Sequence, residues 1–402
     1  MAAQEESQRL LSGGEYVSVD HLLGRGLPSG KEHPGTELEN YFQAVSNFVR
    51  TFEFHQGDEV VILADKRLDP RVIQAITGLA AAHGIKPTTV VLPTTNYLEI
   101  PEHIKPLLER ATFVVSTLYC SVMDPYCVGL RRDKGQRWIK ITYFRDLDLL
   151  KTEQARFPTE LVGELIRRTA ARFPRGTDCL MVLTDPRGSR LEIPLTAKMV
   201  DQTLNTNRWR GEVFATNPGC YVPYLPTHGP NIFDPLFIGD GPGTVFPTAG
   251  IIYAQWAVGF DAPFKEKIGV RFEKNTIVEV TGTSPEAVLL RDMMIGGVLI
   301  ELGCGFNPKW PRHNIYPAGS NSPGALHFGI DLPKPADYIK KAMPNWEEPP
   351  QHVDLISFDT TVEVNGSRLV TDGFLEALRD EAVVAMASRY GEPVDLLQNW
   401  PV

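Results

Sequence analysis

Runs of basic residues are missing from this 402-residue chain, whose 40 lysines and arginines against 49 acids give a formal charge of -9. Lys and Arg are nowhere strung together beyond a pair or so, which removes the electrostatic footprint that nucleic acid or an anionic membrane would need. A small molecule is therefore the expected partner. Also missing is any apolar window of about 18 residues, and the opening MAAQEESQRLLSGGEYVSVD has neither a basic start nor an apolar stretch. The expectation is a cytoplasmic protein. Cysteine is scarce, with 5 in all and no CxxC pair, so no disulfide framework is read. Cys120 and Cys127 in CSVMDPYC are the close pair, and without further soft ligands nearby they read as buried thiols. Neither GxGxxG after the first strand pattern nor GxxxxGK[ST] occurs, which removes the phosphate cradles of dinucleotide-binding and P-loop proteins.

What is present describes a folded protein: 43% hydrophobic and 22% charged residues are ordinary for a globular chain. Its length exceeds what one growing core supports, so two domains are expected. DEVVILAD is a short apolar run, followed by Asp69 and Pro70 opening a helical pattern that stops at Gly84. PTTVVLP (87–93), a helical PEHIKPLLERA (101–111) and TFVVSTL (112–118) continue the alternation, which predicts βαβ units around a parallel sheet. Residues 1–174 are read as a doubly wound α/β domain with an extended N-terminal segment. Beyond them the strands pair locally, with turns expected at Asp185 to Gly188, at Lys274 and Asn275, and at Asn365 and Gly366. Residues 175–402 are read as a mixed α+β metal-binding domain, with SPEAVLLRDMM (284–294) and DGFLEALRDEAVVAMASRYG (372–391) as helices. Between Gly219 and Gly250 the chain is rich in Pro, Gly and aromatics, which predicts a long loop over a site.

Chemistry concentrates in the second half. If QHVDLISFD (351–359) is a strand, alternation puts His352 and Asp354 on one face, with Val353 and Leu355 on the other. An isolated pair of this kind is more often a salt bridge on a solvated face. Glu301 ends the apolar GGVLI before a glycine-rich turn, where burial without a cation or partner is costly. His327 lies in GALHFGID and Glu212 in RGEVFATNP. Taken singly, the glutamates read as capping or surface carboxylates and His327 as a hydrogen-bonded core imidazole. His228 in PTHGP and His313 in PRHNIYP read as loop side chains, with a proton shuttle as the alternative.

Taken in order, GEVF, ELGCGFNP, a histidine in an apolar strand and HVD resemble the metal-binding half of the aminopeptidase T (leucyl aminopeptidase) family of metallopeptidases. That resemblance implies a divalent metal pair (Zn, Mn or Co) held by Glu212, Glu301, His327, His352 and Asp354, with Glu301 bridging and catalytic. It also implies hydrolysis of a peptide or amide C–N bond in a small substrate, by a homodimer. One position departs from the family: the tyrosine ligand expected seven residues after the strand histidine is Lys334 here, with Asp331 and Tyr338 nearby. The chain is also similar to 2,5-dihydroxypyridine 5,6-dioxygenase. That similarity implies a single Fe(II) held by His327, His352 and Asp354, and opening of a hydroxylated ring. Hydrolysis is the first expectation and ring cleavage the alternative.

Overall fold

The computed structural model describes residues 37–397, except 96, 98, 226–228, 242–243, 259, 261, 311–321 and 335–351. His228, His313 and Tyr338 therefore lie outside the described residues. Four strands, β1 (Val60–Asp65), β2 (Thr88–Leu92), β3 (Phe113–Ser116) and β4 (Arg137–Lys140), begin a parallel sheet. β5 (Cys179–Thr184) and β6 (Arg190–Leu195) belong to a second layer, and β7 (Tyr221–Pro223) returns to the first, giving the order β2-β1-β3-β4-β7. The last strand of the parallel sheet thus comes from beyond residue 175, where sequence alone starts the second domain.

Both faces of this sheet are covered, as continuous apolar strands require. In β1, Val60, Ile62 and Ala64 face a core with Phe48 and Phe52 of the helix Glu37–Phe52 and Val72 and Ile76 of the helix Pro70–Ala82. Val61 and Leu63 face the opposite way, onto Leu108, Cys127 and Leu130. The helix Pro70–Ala82 starts where expected because Asp69 accepts the Arg71 N–H at 2.9 Å and Pro70 needs no donor partner there. All 5 cysteines are buried free thiols.

The second layer holds β8 (Ala249–Ala254), β9 (Trp256–Ala257), β10 (Ile268–Glu273), β11 (Thr276–Val280), β12 (Val298–Cys304), β13 (Leu326–Asp331), β14 (His352–Ser357), β15 (Thr361–Val364), β16 (Ser367–Thr371) and β17 (Phe374–Leu375). Its order is β17-β16-β15-β5-β6-β8-β10-β11-β12-β13-β14-β9, with antiparallel pairing throughout. All three expected hairpins form. Lys274 and Asn275 take φ 48° and 67°, and Asn365 and Gly366 take φ 49° and 80°, the left-handed pairs that two-residue hairpins demand. Because residues 249–257 pair with β10 at one end and with β14 at the other, strands β8 to β14 close into a ring.

One expected element differs. The stretch 372–391 is not a single helix: Phe374 and Leu375 pair with Thr371 and Val370, and the helix begins only at Glu381, capped by the Asp380 side chain on the Ala382 N–H. Helix periodicity there loses to strand pairing, a tertiary choice. The larger core is continuous from the parallel sheet into the ring, joining Ile62 and Phe113 to Phe328 and Leu355 in one cluster. Among the described residues no helix is long and apolar enough to cross a membrane.

Candidate metal centre

Three neighbouring strands, β12, β13 and β14, build the candidate site. Glu301 pairs with Gly329, and Gly329 with Asp354, so these three stand in one row on one face. His327 stands opposite Gly303, and His352 opposite Asp331, two residues along the same face. Val353, Leu355, Leu302 and Phe328 point the other way, into the core. Four of the five sequence candidates thus share a surface.

The two glycines make that surface passable. A methyl group at Gly329 would fall 2.8 Å from Glu301 Cβ and 2.9 Å from His352 Cε1, and one at Gly303 would enter the His327 ring. With these positions bare, His327 Nε2 reaches 3.1 Å from Glu301 Oε1. His352 is held between two carboxylates, with Nδ1 at 3.3 Å from Asp331 Oδ1 and Nε2 at 3.1 Å from Asp354 Oδ1. His327, His352 and Asp354 are 1%, 4% and 2% exposed, so these donors have been taken out of water. The Asp354 contact is close but not aligned for hydrogen bonding, and its Oδ1 is a buried oxygen without a hydrogen-bond partner among the described residues. A buried carboxylate oxygen in that condition is costly unless a cation completes it.

Glu212 stands elsewhere. Arg210 donates to its Oε1 at 2.8 Å, and it lines an adjoining cavity with Val162, Ile166 and Val213, which shares Arg208 and Pro223 with the main one. Lys334, at the position of the expected tyrosine, is exposed. Asp331, noted in sequence only for its nearness to that position, orients His352 from behind. With Nδ1 donating to Asp331, His352 would keep its Nε2 lone pair beside Asp354 Oδ1, an arrangement that commonly backs metal-binding imidazoles.

Among the described residues no group of three or more His, Cys, Asp and Glu side chains is already disposed around a metal position. The donor types nevertheless suit a divalent ion: imidazole nitrogen and carboxylate oxygen, an orphaned buried oxygen, and a cradle that a Cβ would fill. His327, Glu301, His352 and Asp354 are the side chains that would hold it.

The cavity over this face lies at the carboxyl ends of the parallel strands. Tyr119 follows β3, Lys140 ends β4 and Pro223 ends β7, and all three line it together with Glu301, His352 and Asp354. Ligands of open α/β sheets gather at that edge. Tyr119 and His352 ring centroids are 6.3 Å apart, and the Lys140 ammonium lies 5.7 Å from the rings of both Tyr119 and Tyr143. Asn231, Asp234 and Phe237 come from the loop expected to cover a site, and they do form its wall. Burial pushes the Asp234 carboxyl up to about 7, helped by the negative charge of Glu301 and opposed by Arg208. Sequence reading missed Tyr119, Lys140 and Arg208, and it marked Asp234 only as part of the covering loop. For Arg208 the signal was its place in NRWRGEVF, three residues ahead of the GEVF motif.

No family model matches the chain, and no curated protein matches it in sequence. Solved structures do. The chain is similar to the 2,5-dihydroxypyridine dioxygenase from Pseudomonas putida KT2440, with a TM-score of 0.56 and 17% identity over 88% of this chain and 100% of that one. It is also similar to AmpT from Thermus thermophilus, with a TM-score of 0.43 and 13% identity over 85% of this chain and 100% of that one. At such identities the likeness to the dioxygenase is one of fold. The two structures carry the two names to which the sequence resemblance pointed. Sheet topology and this likeness of fold define a mixed α/β chain.

Proposed function

We propose that this chain is a metal-dependent enzyme that uses one divalent ion to open a hydroxylated aromatic or heteroaromatic ring with dioxygen. The observation that carries this reading is the grouping itself: two histidines and two carboxylates share one sheet face under a cavity walled by tyrosines, while Glu212 stands in an adjoining one. A site with His327, His352 and one carboxylate fits a single ion with open positions, for which Fe(II) is the usual choice in oxygen chemistry. Such an ion would supply the electron that lets dioxygen react with a closed-shell ring.

The chain's own residues do the rest. Tyr119, Tyr143 and Tyr221 present ring faces and edges to a flat substrate. Lys140 places a positive charge where a ring hydroxyl would ionise. Asp331 keeps His352 in one orientation. Asp234, whose carboxyl titrates near neutral pH, can hold or release a proton beside the ring.

Oxygen consumption by Fe(II)-loaded protein, with 2,5-dihydroxypyridine and related hydroxypyridines as probes, tests the reading directly. One iron per chain and one dioxygen consumed per ring opened are expected. Absence of uptake across the panel would refute it. Hydrolysis of a small peptide or amide with Zn, Mn or Co is kept as the second reading, because Glu301 faces the same cavity where a proton acceptor for an attacking water would stand. Amide cleavage without oxygen would establish that one instead.

A further inference from the structure

Behind the candidate site a second cavity of about 230 Å³ opens, sharing Val122, Arg208, Tyr221, Asn231, Asp234 and Phe237 with the first. Three arginines line it: Arg131, Arg132 and Arg208. Arg131 is buried and donates to two neutral acceptors, the carbonyls of Ser121 and Val122, each at 2.7 Å. Its guanidinium also lies 5.6 Å from the Trp138 ring centroid and 5.2 Å from that of Tyr221. Carbonyls and ring faces hold a cation in place without cancelling its charge, so the potential at this wall is positive where solvent screens poorly. Arg208 donates to the Gly229 carbonyl and stands at the junction of the two cavities. Asp234 is the one carboxylate among the described residues of the second cavity's lining, and Asn231 already donates to it at 3.1 Å. The remaining wall includes the faces of Trp209 and Phe237, which suit the flat or apolar body of a ligand.

We propose that the second cavity receives an anionic arm of the substrate, making that substrate an aromatic or heteroaromatic carboxylic acid. Its ring lies against His352 and Asp354, and its carboxylate meets Arg208 at the junction. The inference rests on the ring-binding reading of the first cavity, but it concerns binding alone and does not require turnover. Arg208 sets specificity by pairing with the carboxylate, a charge-assisted contact that a neutral ring forgoes. Arg131 acts through its field and does not contact the ligand, whereas Arg132 is exposed and its charge is met by Asp133 at 2.6 and 2.8 Å.

The probes are 3-hydroxybenzoate and phenol, titrated against full-length metal-free protein at pH 8 while the quench of tryptophan fluorescence is followed, Trp209 lying in the cavity wall. The acid is expected to bind about ten-fold to a hundred-fold more tightly than phenol, the range for a charge-assisted hydrogen bond. Arg208→Gln is expected to erase that preference, with circular dichroism confirming a folded chain. Asp234→Asn, which removes the one acid from the wall, is expected to tighten 3-hydroxybenzoate more than it changes phenol. A purely structural role would give no such opposite sign. Equal affinities for the two probes, no binding of either at millimolar concentration, or a preference that survives Arg208→Gln would overturn the proposal. Because these titrations contain neither iron nor oxygen, failure of ring cleavage and failure of acid recognition are read separately.

Discussion

At Gly303 and Gly329 one methyl group would disturb the candidate site directly, because its imidazole and carboxylate groups approach each other through the space those residues leave empty. For Gly329→Ala the added carbon would push Glu301 and His352 apart, so divalent-metal affinity by titration calorimetry should fall at least ten-fold. The strain should also cost about 1–3 kcal/mol in urea unfolding. Unchanged affinity would show that Glu301 and His352 do not act together. Asp354→Asn is expected to separate function from stability. Its buried Oδ1, which lacks a hydrogen bond among the described residues, is a liability without metal, so the metal-free variant should melt no lower than the parent. Turnover should vanish. A variant that keeps activity, or that unfolds, would contradict the assignment. At this scale alternation put His352 and Asp354 on one face, while Glu301 and His327 joined them only through the family resemblance; the structure sets all four on one sheet face. The sequence could not show that Glu212 lines an adjoining cavity, because that depends on where the segment after the helix Ala197–Leu204 is carried.

Elements position the site through unexpected attachments. The β10–β11 turn is a sequence-legible hairpin, yet its Asn275 is buried, donates through Nδ2 to the Leu299 carbonyl, and accepts the Leu299 N–H at 3.0 Å. Leu299 lies two residues before Glu301, so the turn fixes the strand that carries a candidate ligand. Replacing Asn275 with alanine removes the side-chain bond and leaves at φ 67° a residue without the short polar side chain that tolerates this left-handed conformation. A loss of about 1–3 kcal/mol is expected on chemical denaturation, together with weaker metal binding. If stability drops while metal affinity holds, the turn is structural only. Hairpins, caps and βαβ alternation were all legible because each depends on a few consecutive residues. The stretch 372–391 was not, since its helical periodicity is overridden by pairing of Phe374 and Leu375 with β16.

For the molecule as a whole, metal binding and folding are linked. If the native state alone holds an ion, a concentration of 100 times Kd adds about 2.7 kcal/mol, so chelation should lower the melting temperature and added Fe(II) restore it. No change in either direction would argue against a metal site. Away from the site, Asp65 and Arg145 form a buried pair with contacts of 2.6 and 2.8 Å. Burial by itself would raise the Asp65 carboxyl, but the bonds and charge of Arg145 override it and hold the carboxyl below the usual range. Its folded value is therefore depressed, so the pair's stabilisation is present above about pH 4 and is lost as pH falls through the folded value. Arg145→Met should cost about 3–5 kcal/mol at neutral pH and less in acid, where Asp65 can take a proton. Equal losses at both pH values would refute that account. The sequence by itself determined the strands, the turns and the mixed α/β class, because alternation and caps are local properties. Only the tertiary structure decided that residues 221–223 complete the parallel sheet and that β8 to β14 close on themselves. It alone brought Tyr119, Lys140, Arg208 and Asp234 to one cavity, since contacts between residues far apart in the chain leave no local pattern to read.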